Sequence, residues 1–200
     1  MRKVFIDCGV REGDAIAAFL GDTEVGGGEY YNRLLPRNDA HEFSFIGFES
    51  PDFKFKGDTR KRFEHLPFEL KEQLVWTFDG VVEFDTDGES YDCRLLEVSR
   101  TEDVEPWRHP NPLSEVKMLP CIDLAAFVRN NFEQEDYIIL KLDIEGAEYD
   151  VLEQLIQTNT IGWLNELYAE YHWWGRTSLR PQLEDAITKI DGLYYRNDWP

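Results

Sequence analysis

Residues 137–157 read YIILKLDIEGAEYDVLEQLIQ, and this stretch decides the fold. Tyr137–Leu142 is the most apolar run of the chain and has the length of a buried strand. It halts at Asp143, and Gly146 marks a turn. From Ala147 to Gln157 the apolar residues Val151, Leu152, Leu155 and Ile156 fall on one helical face. Strand, turn and helix in this order form the βα unit of a parallel sheet. A lysine inside such a strand is costly without a partner. Lys141 shares a strand face with Asp143, because side chains alternate along a strand. If this strand neighbours the first, Asp7 and Asp143 meet at the carboxyl edge and Lys141 neutralises both; a lysine that snorkels at the strand end is the alternative reading.

Outward from this unit the pattern repeats. Lys3–Ile6 reads as a first strand, followed by a helix from about Glu12 to Leu20. Phe43–Phe48 reads as a second strand ending on Glu49, and Leu74–Phe78 as a third. Asp79-Gly80 signals a hairpin into Val81–Phe84, and Cys93–Val98 follows another turn at Asp87-Gly88. Helix resumes over Ile122–Asn130. Leu167–Trp174 is a fifth parallel strand, Leu183–Ile190 a last helix and Leu193–Tyr195 a short final strand. Alternating strands and helices predict an α/β fold with a mainly parallel central sheet flanked by helices. One domain over 1–200 is expected, with an insertion over 21–43 and a substrate loop or lid over 99–117.

Bulk properties narrow the function. Forty Asp and Glu against 21 Lys and Arg give a formal charge of -19, which repels a phosphate backbone. The basic run Lys54–Lys61, broken by Asp58, reads as a solvated loop, so no nucleic-acid partner is expected. Cys8, Cys93 and Cys121 are scattered and odd in number, which suggests reduced thiols rather than a disulfide framework. No run approaches the ~18–20 apolar residues that span a bilayer. The expectation is a cytoplasmic protein with no membrane partner.

Several constellations carry chemistry. Asp7-x-Gly9-x-x-x-Gly13 follows a strand and opens a helix, where glycines let the backbone approach a ligand; a ligand-free βα turn explains the same residues. Glu49 ends the second strand, a place where an acid accepts hydrogen bonds from ribose hydroxyls. It lies beyond the usual ~20 residues from the glycine turn, the excess falling in the 21–43 insertion. Asp143, Glu145 and His172 stand at the ends of adjacent predicted strands, and each is a candidate general base; Glu170, two residues before His172, shares its side of the strand, and packing beside the two tryptophans is the alternative reading of His172. Trp173-Trp174-Gly175-Arg176 suits the wall of an acceptor pocket. Asp85-Thr86-Asp87-Gly88 hints at a calcium loop, but position 12 of such a loop falls on Leu96 rather than Glu, so a turn suffices. The carboxylates near Asp143 can hold a divalent metal such as Mg²⁺, though no spacing requires it.

The segment IILKLDIEGAEYDVLEQLI (138–156) resembles the defining motif of the FkbM-type methyltransferases, class I enzymes on a Rossmann-like fold. FIDCGVREGD (5–14) is similar to that family's glycine loop, FIGFESP (45–51) to its second-strand acid motif, and VWTFDGVVEF (75–84) to its third strand and hairpin. LPCIDLAAFV (119–128) and LYAEYHWW (167–174) come in the same order. The resemblance implies S-adenosylmethionine as cofactor, with Asp7, Gly9 and Gly13 at its amino-acid end, Glu49 at its ribose, Trp76 and Thr77 beside its adenine and Asp143 facing the ligand. It also implies methyl transfer to a hydroxyl oxygen of a small, sugar-like acceptor.

GLYYRNDWP, after the last helix, is too short for the full terminal hairpin of the class I fold, so a shortened C-terminal end is expected. The acceptor side is then unusually open or completed by a second subunit, as in a homo-oligomer. A nicotinamide oxidoreductase would show GxGxxG where residues 9–14 read GVREGD. The alternative kept open is a catalytically silent binding module on the same fold.

Overall fold

The computed structural model describes residues 1–22, 37–54, 56–86, 94–95, 115–172 and 175–197. Six parallel strands form the central sheet: β1 (Lys3–Cys8), β2 (Phe43–Glu49), β3 (Phe68–Glu72), β8 (Tyr137–Leu142), β9 (Glu166–Ala169) and β10 (Tyr194–Arg196). Their order is β10-β9-β8-β1-β2-β3. The chain therefore builds outward from β1 on one side, then restarts at β8 and builds outward on the other. The reversal lies between β1 and β8, where open α/β sheets bind their ligands. Asp7 is the register partner of Lys141 across that pair.

Both faces of β1 and β8 are covered, which is why these strands read as continuous apolar runs. Val4, Ile6, Ile138 and Leu140 pack against α3 (Leu124–Asn131), α4 (Glu148–Gln157) and α5 (Arg180–Ile187). Phe5 and Ile139 pack on the other face with Ala15, Ile16 and Phe19 of α1 (Asp14–Phe19). Asp123 caps α3, its carboxylate accepting from Ala126 N at 2.8 Å. At the sheet's amino edge Glu166 accepts hydrogen bonds from Arg37, Tyr137 and Tyr168.

A second sheet stands beside the first, in the order β4-β7-β5-β6: β4 (Leu74–Trp76), β7 (Glu115–Asp123), β5 (Gly80–Thr86) and β6 (Arg94–Leu95). Leu74, Trp76, Val82, Phe84, Leu119 and Cys121 pack from it against Ile144 and Ala147, just after β8.

Four expectations are corrected. Leu74–Phe78 is not the third strand of the parallel sheet; Phe68–Glu72 holds that place. Residues 74–76 and 80–86 form no hairpin, because β7 lies between them, parallel to β4 and antiparallel to β5. The charged run over Lys56–Arg62 is a helix, α2, rather than a loop. The strand starting at Glu166 ends at Ala169, short of the predicted Trp174. Among the described residues β10 is the outermost strand on its side of the sheet and pairs with β9. Most of the 21–43 insertion, residues 99–114 of the expected lid, Cys93 and the Trp173-Trp174 pair lie outside the described residues. No helix among the described residues is long and apolar enough to cross a membrane.

Candidate active site

The turn after β1 is shaped by close approach. Gly9 has φ +80°, and a Cβ there would lie 1.9 Å from the carbonyl oxygen of Asp143. Gly13 has φ +83°, and a Cβ would meet the Phe63 ring at 2.1 Å. Only glycine fits both the space and the left-handed backbone. Gly9 and Val10 donate their N–H groups to Phe48 O at 3.0 and 3.1 Å, tying the turn to β2. Arg11 is held in the left-handed region (φ 46°) and donates its N–H to Glu49 Oε2 at 2.7 Å. Glu49 Oε1 accepts from Ser50 N at 2.7 Å. Burial pushes the Glu49 carboxyl up, while these two donors pull it back. Each oxygen keeps a second lone pair for a ligand hydroxyl.

Behind this turn lies a buried ion cluster. Lys141 Nζ stands 3.1 Å from Asp7 Oδ1 and 3.1 Å from Asp143 Oδ2, and donates to Gly9 O at 2.9 Å. The Asp7 side chain is 0% exposed and that of Lys141 3%. The β1–β8 pairing thus brings Asp7 and Asp143 onto one lysine, as the shared strand face of Lys141 and Asp143 predicts. Burial pushes the Asp7 carboxyl up to about 6, against the opposing pull of Lys141. Asp7 has no surface toward solvent and reaches the site through Lys141 and the Gly9 carbonyl.

The turn after β8 builds the other half. Glu145 (φ 55°) and Gly146 (φ 95°) both take left-handed backbone, which folds the Glu148 side chain back under the turn. Glu148 is fully buried and accepts from Ile144 N at 2.7 Å and Gly146 N at 3.0 Å. Its Oε1 also lies 2.8 Å from His172 Nδ1. The imidazole is thereby aimed: its Nε2 stands 3.7 Å from Asp143 Oδ1, 3.6 Å from Glu145 Oε2 and 3.8 Å from Glu170 Oε1. Burial lowers the His172 pKa, but the Glu148 hydrogen bond and the charges of Glu148, Glu145 and Asp143 prevail and raise it to about 9. Burial and the Asp143 charge push Glu170 up to about 7.

Asp143, Glu145 and His172 therefore converge, and Asp7, Gly9, Gly13 and Glu49 line or underlie the same edge. Trp76 and Thr77 do not join this cluster. Trp76 is buried in the second sheet's core, and the Thr77 carbonyl accepts from Gln154 Nε2 at 2.6 Å. Two further residues emerge. Glu148, at the end of the KLDIEGAE motif, orients His172, and Glu170 adds a carboxylate to the cluster.

This carboxylate-rich edge suits a cationic ligand or metal ion rather than a phosphate. In comparisons with known proteins, no curated protein and no solved structure gives a match. A family model described as the methyltransferase FkbM domain matches residues 81–190. The matched span takes in β8, α4, β9 and His172, while the glycine turn and Glu49 join it through the β1–β8 pairing. With more than half of its length matched, the chain belongs to the FkbM methyltransferase family.

Proposed function

We propose that the chain transfers a methyl group from S-adenosylmethionine to a hydroxyl oxygen of a small acceptor. The observation that carries this reading is the meeting of the glycine turn and the acids at one sheet edge, with the Asp143 carbonyl against Gly9. The donor set fits the cofactor, since a sulfonium and an ammonium both gain from the net negative field of this carboxylate-rich edge. In this reading Gly9 and Gly13 give backbone access at the amino-acid end. Asp7 supports them from below, Glu49 takes the ribose, and Trp76 and Thr77 border the adenine. The acid excess favours a small acceptor over nucleic acid.

When bound, the cofactor supplies a methyl group already activated on sulfur. The chain's own residues orient the partners and move a proton. Glu148 holds His172 through Nδ1, leaving Nε2 to face the acceptor. In the ligand-free protein that imidazole is charged at neutral pH, because the surrounding carboxylates raise it to about 9. A cation among those carboxylates cancels part of that field, so the pKa falls and Nε2 can accept the hydroxyl proton.

Thermal denaturation with and without S-adenosylmethionine tests cofactor use: ligand at ~100 times its Kd should stabilise the fold by ~2.7 kcal/mol. No shift at saturation would remove the cofactor from the reading. Isotope transfer from labelled cofactor into a metabolite extract separates an active enzyme from a silent binding module. His172→Gln should cut turnover while sparing cofactor binding; unchanged turnover would discard the base assignment.

A further inference from the structure

The carboxyl edges of β8 and β9 concentrate negative charge around one imidazole. Asp143, Glu145, Glu148 and Glu170 all face His172. The neighbouring cation, Lys141, is engaged with Asp7, Asp143 and the Gly9 carbonyl.

Within this group, three side chains are disposed as a chelate. Asp143, Glu170 and His172 each offer one ligand atom, and these atoms lie within 4.8 Å of one another. His172 Nε2 is 3.7 Å from Asp143 Oδ1 and 3.8 Å from Glu170 Oε1. An octahedral ion with bonds of ~2.1 Å places adjacent ligands roughly 3.0 Å apart, so the two separations from Nε2 need to close by less than roughly 1 Å and that between the two carboxylates by no more than roughly 2 Å. Asp143 divides its oxygens, Oδ2 to Lys141 and Oδ1 to the cluster. His172 is 8% exposed and held by a carboxylate at Nδ1, which in the neutral ring leaves the Nε2 lone pair for a metal. The holding carboxylate is itself fixed by two backbone N–H groups.

We propose that Asp143, Glu170 and His172 bind a divalent transition-metal ion of the manganese-to-zinc row, and that this ion polarises the acceptor hydroxyl during methyl transfer. One imidazole with two carboxylates suits Mn²⁺, Fe²⁺, Co²⁺ or Zn²⁺ better than the oxygen-seeking Ca²⁺ and Mg²⁺. Ion binding stands by itself; its catalytic role rests on the methyltransferase reading above. In the loaded site His172 is a ligand and no longer the base. The hydroxyl proton passes to Glu145, whose Oε2 is 3.6 Å from Nε2 and lies outside the ligand set. The oxygen lone pair forms the new O–C bond as the C–S bond breaks. Its electron pair stays on sulfur, leaving an ether, a neutral thioether and one proton released to solvent.

Mn²⁺ titrated into the EDTA-stripped chain, followed by calorimetry, tests the site. Saturable binding of one ion per chain is expected. Glu170→Gln and His172→Gln should weaken it by about tenfold or more, while Glu145→Gln should change it by less than about threefold. No saturable binding by the wild type, or folded ligand variants that bind as tightly as it does, would overturn the site. Should the variants not fold, pulsed electron paramagnetic resonance of Mn²⁺ in the wild type decides, since coupling to one imidazole nitrogen supports the site and its absence refutes it. S-adenosylmethionine binding is measured separately in EDTA. Cofactor affinity without ion binding leaves only the methyltransferase reading standing, and the reverse result leaves only the ion site. Methyl transfer at full rate in EDTA removes the catalytic role.

Discussion

Asp7→Asn should shift the stability of the ligand-free protein relative to the wild type by an amount that depends on pH in a defined way. The Asp7 carboxyl is fully buried, faces the Lys141 ammonium at 3.1 Å, and is raised from 3.8 to about 6. Because the folded pKa lies above the unfolded one, the folded state binds more protons between these values. Stability therefore falls as pH rises through that window. At ~1.36 kcal/mol per pKa unit, the ionised aspartate costs about 3 kcal/mol once the pH is above about 7, a cost that asparagine does not incur. Urea unfolding of both proteins at a series of pH values measures this directly. The other carboxylates are common to both chains, so their titration largely cancels in the difference. The difference should be small in acid and grow by about 3 kcal/mol toward neutrality in favour of the variant. A flat difference, or one that grows in favour of the wild type, would refute the assignment of Asp7 as a costly buried charge. The variant should also bind S-adenosylmethionine more weakly.

Lys141→Met leaves Asp7 and Asp143 without their shared cation. Breaking a buried pair in this way should cost about 3–5 kcal/mol in urea unfolding and lower cofactor affinity in calorimetry; normal stability with intact affinity would refute the neutralising role. Gly9→Ala places a Cβ 1.9 Å from the Asp143 carbonyl oxygen on a left-handed backbone, so it should destabilise by about 1–3 kcal/mol and weaken ligand binding. Gly57→Ala, in α2 with open space around it, should instead be neutral or gain up to about 1 kcal/mol. Glu148→Gln removes the main partner that raises His172. By NMR titration of the ion-free protein, the wild-type imidazole should titrate near pH 9 and that of the variant lower. For the wild type, the stabilisation is complete below the unfolded value of 6.5 and fades as pH rises through about 9. A variant titrating as high as the wild type would show that Glu148 does not set the imidazole.

The sheet's centre was legible because β1 and β8 are buried on both faces and carry little but apolar side chains. Its margins were not. Phe68–Glu72 reads FELKE, an edge strand that among the described residues pairs with β2 alone, and its polar side chains hide any apolar run. In β7 the alternation of exposed Val116 and Met118 with buried Leu119 and Cys121 is a strand pattern, but Pro120 interrupts it and Asp123 draws the eye to the following helix. The α2 segment buries only Thr59, so no apolar face announces it. At the site, the positions of Asp143, Glu145 and His172 followed from strand ends. The bond from Glu148 to His172 did not, because it joins two elements in space, through a turn in which Glu145 as well as Gly146 is left-handed. Glu170 was visible as a neighbour of His172, but the closing of its carboxylate on Asp143 depends on how β9 sits beside β8.

The Asp7–Lys141 pair has a consequence for how the chain finds its alignment. Apolar strands slide against one another with little penalty, since one isoleucine replaces another. A slip of β8 by one residue against β1 would turn Lys141 to the opposite face, into the core where Ile138 and Leu140 now pack, and strand Asp7 without a cation. The buried ions thus act as a proofreading notch in an otherwise smooth groove. Correct assembly is the arrangement in which both charges are satisfied, and it is also the one that sets Asp143 against the glycine turn.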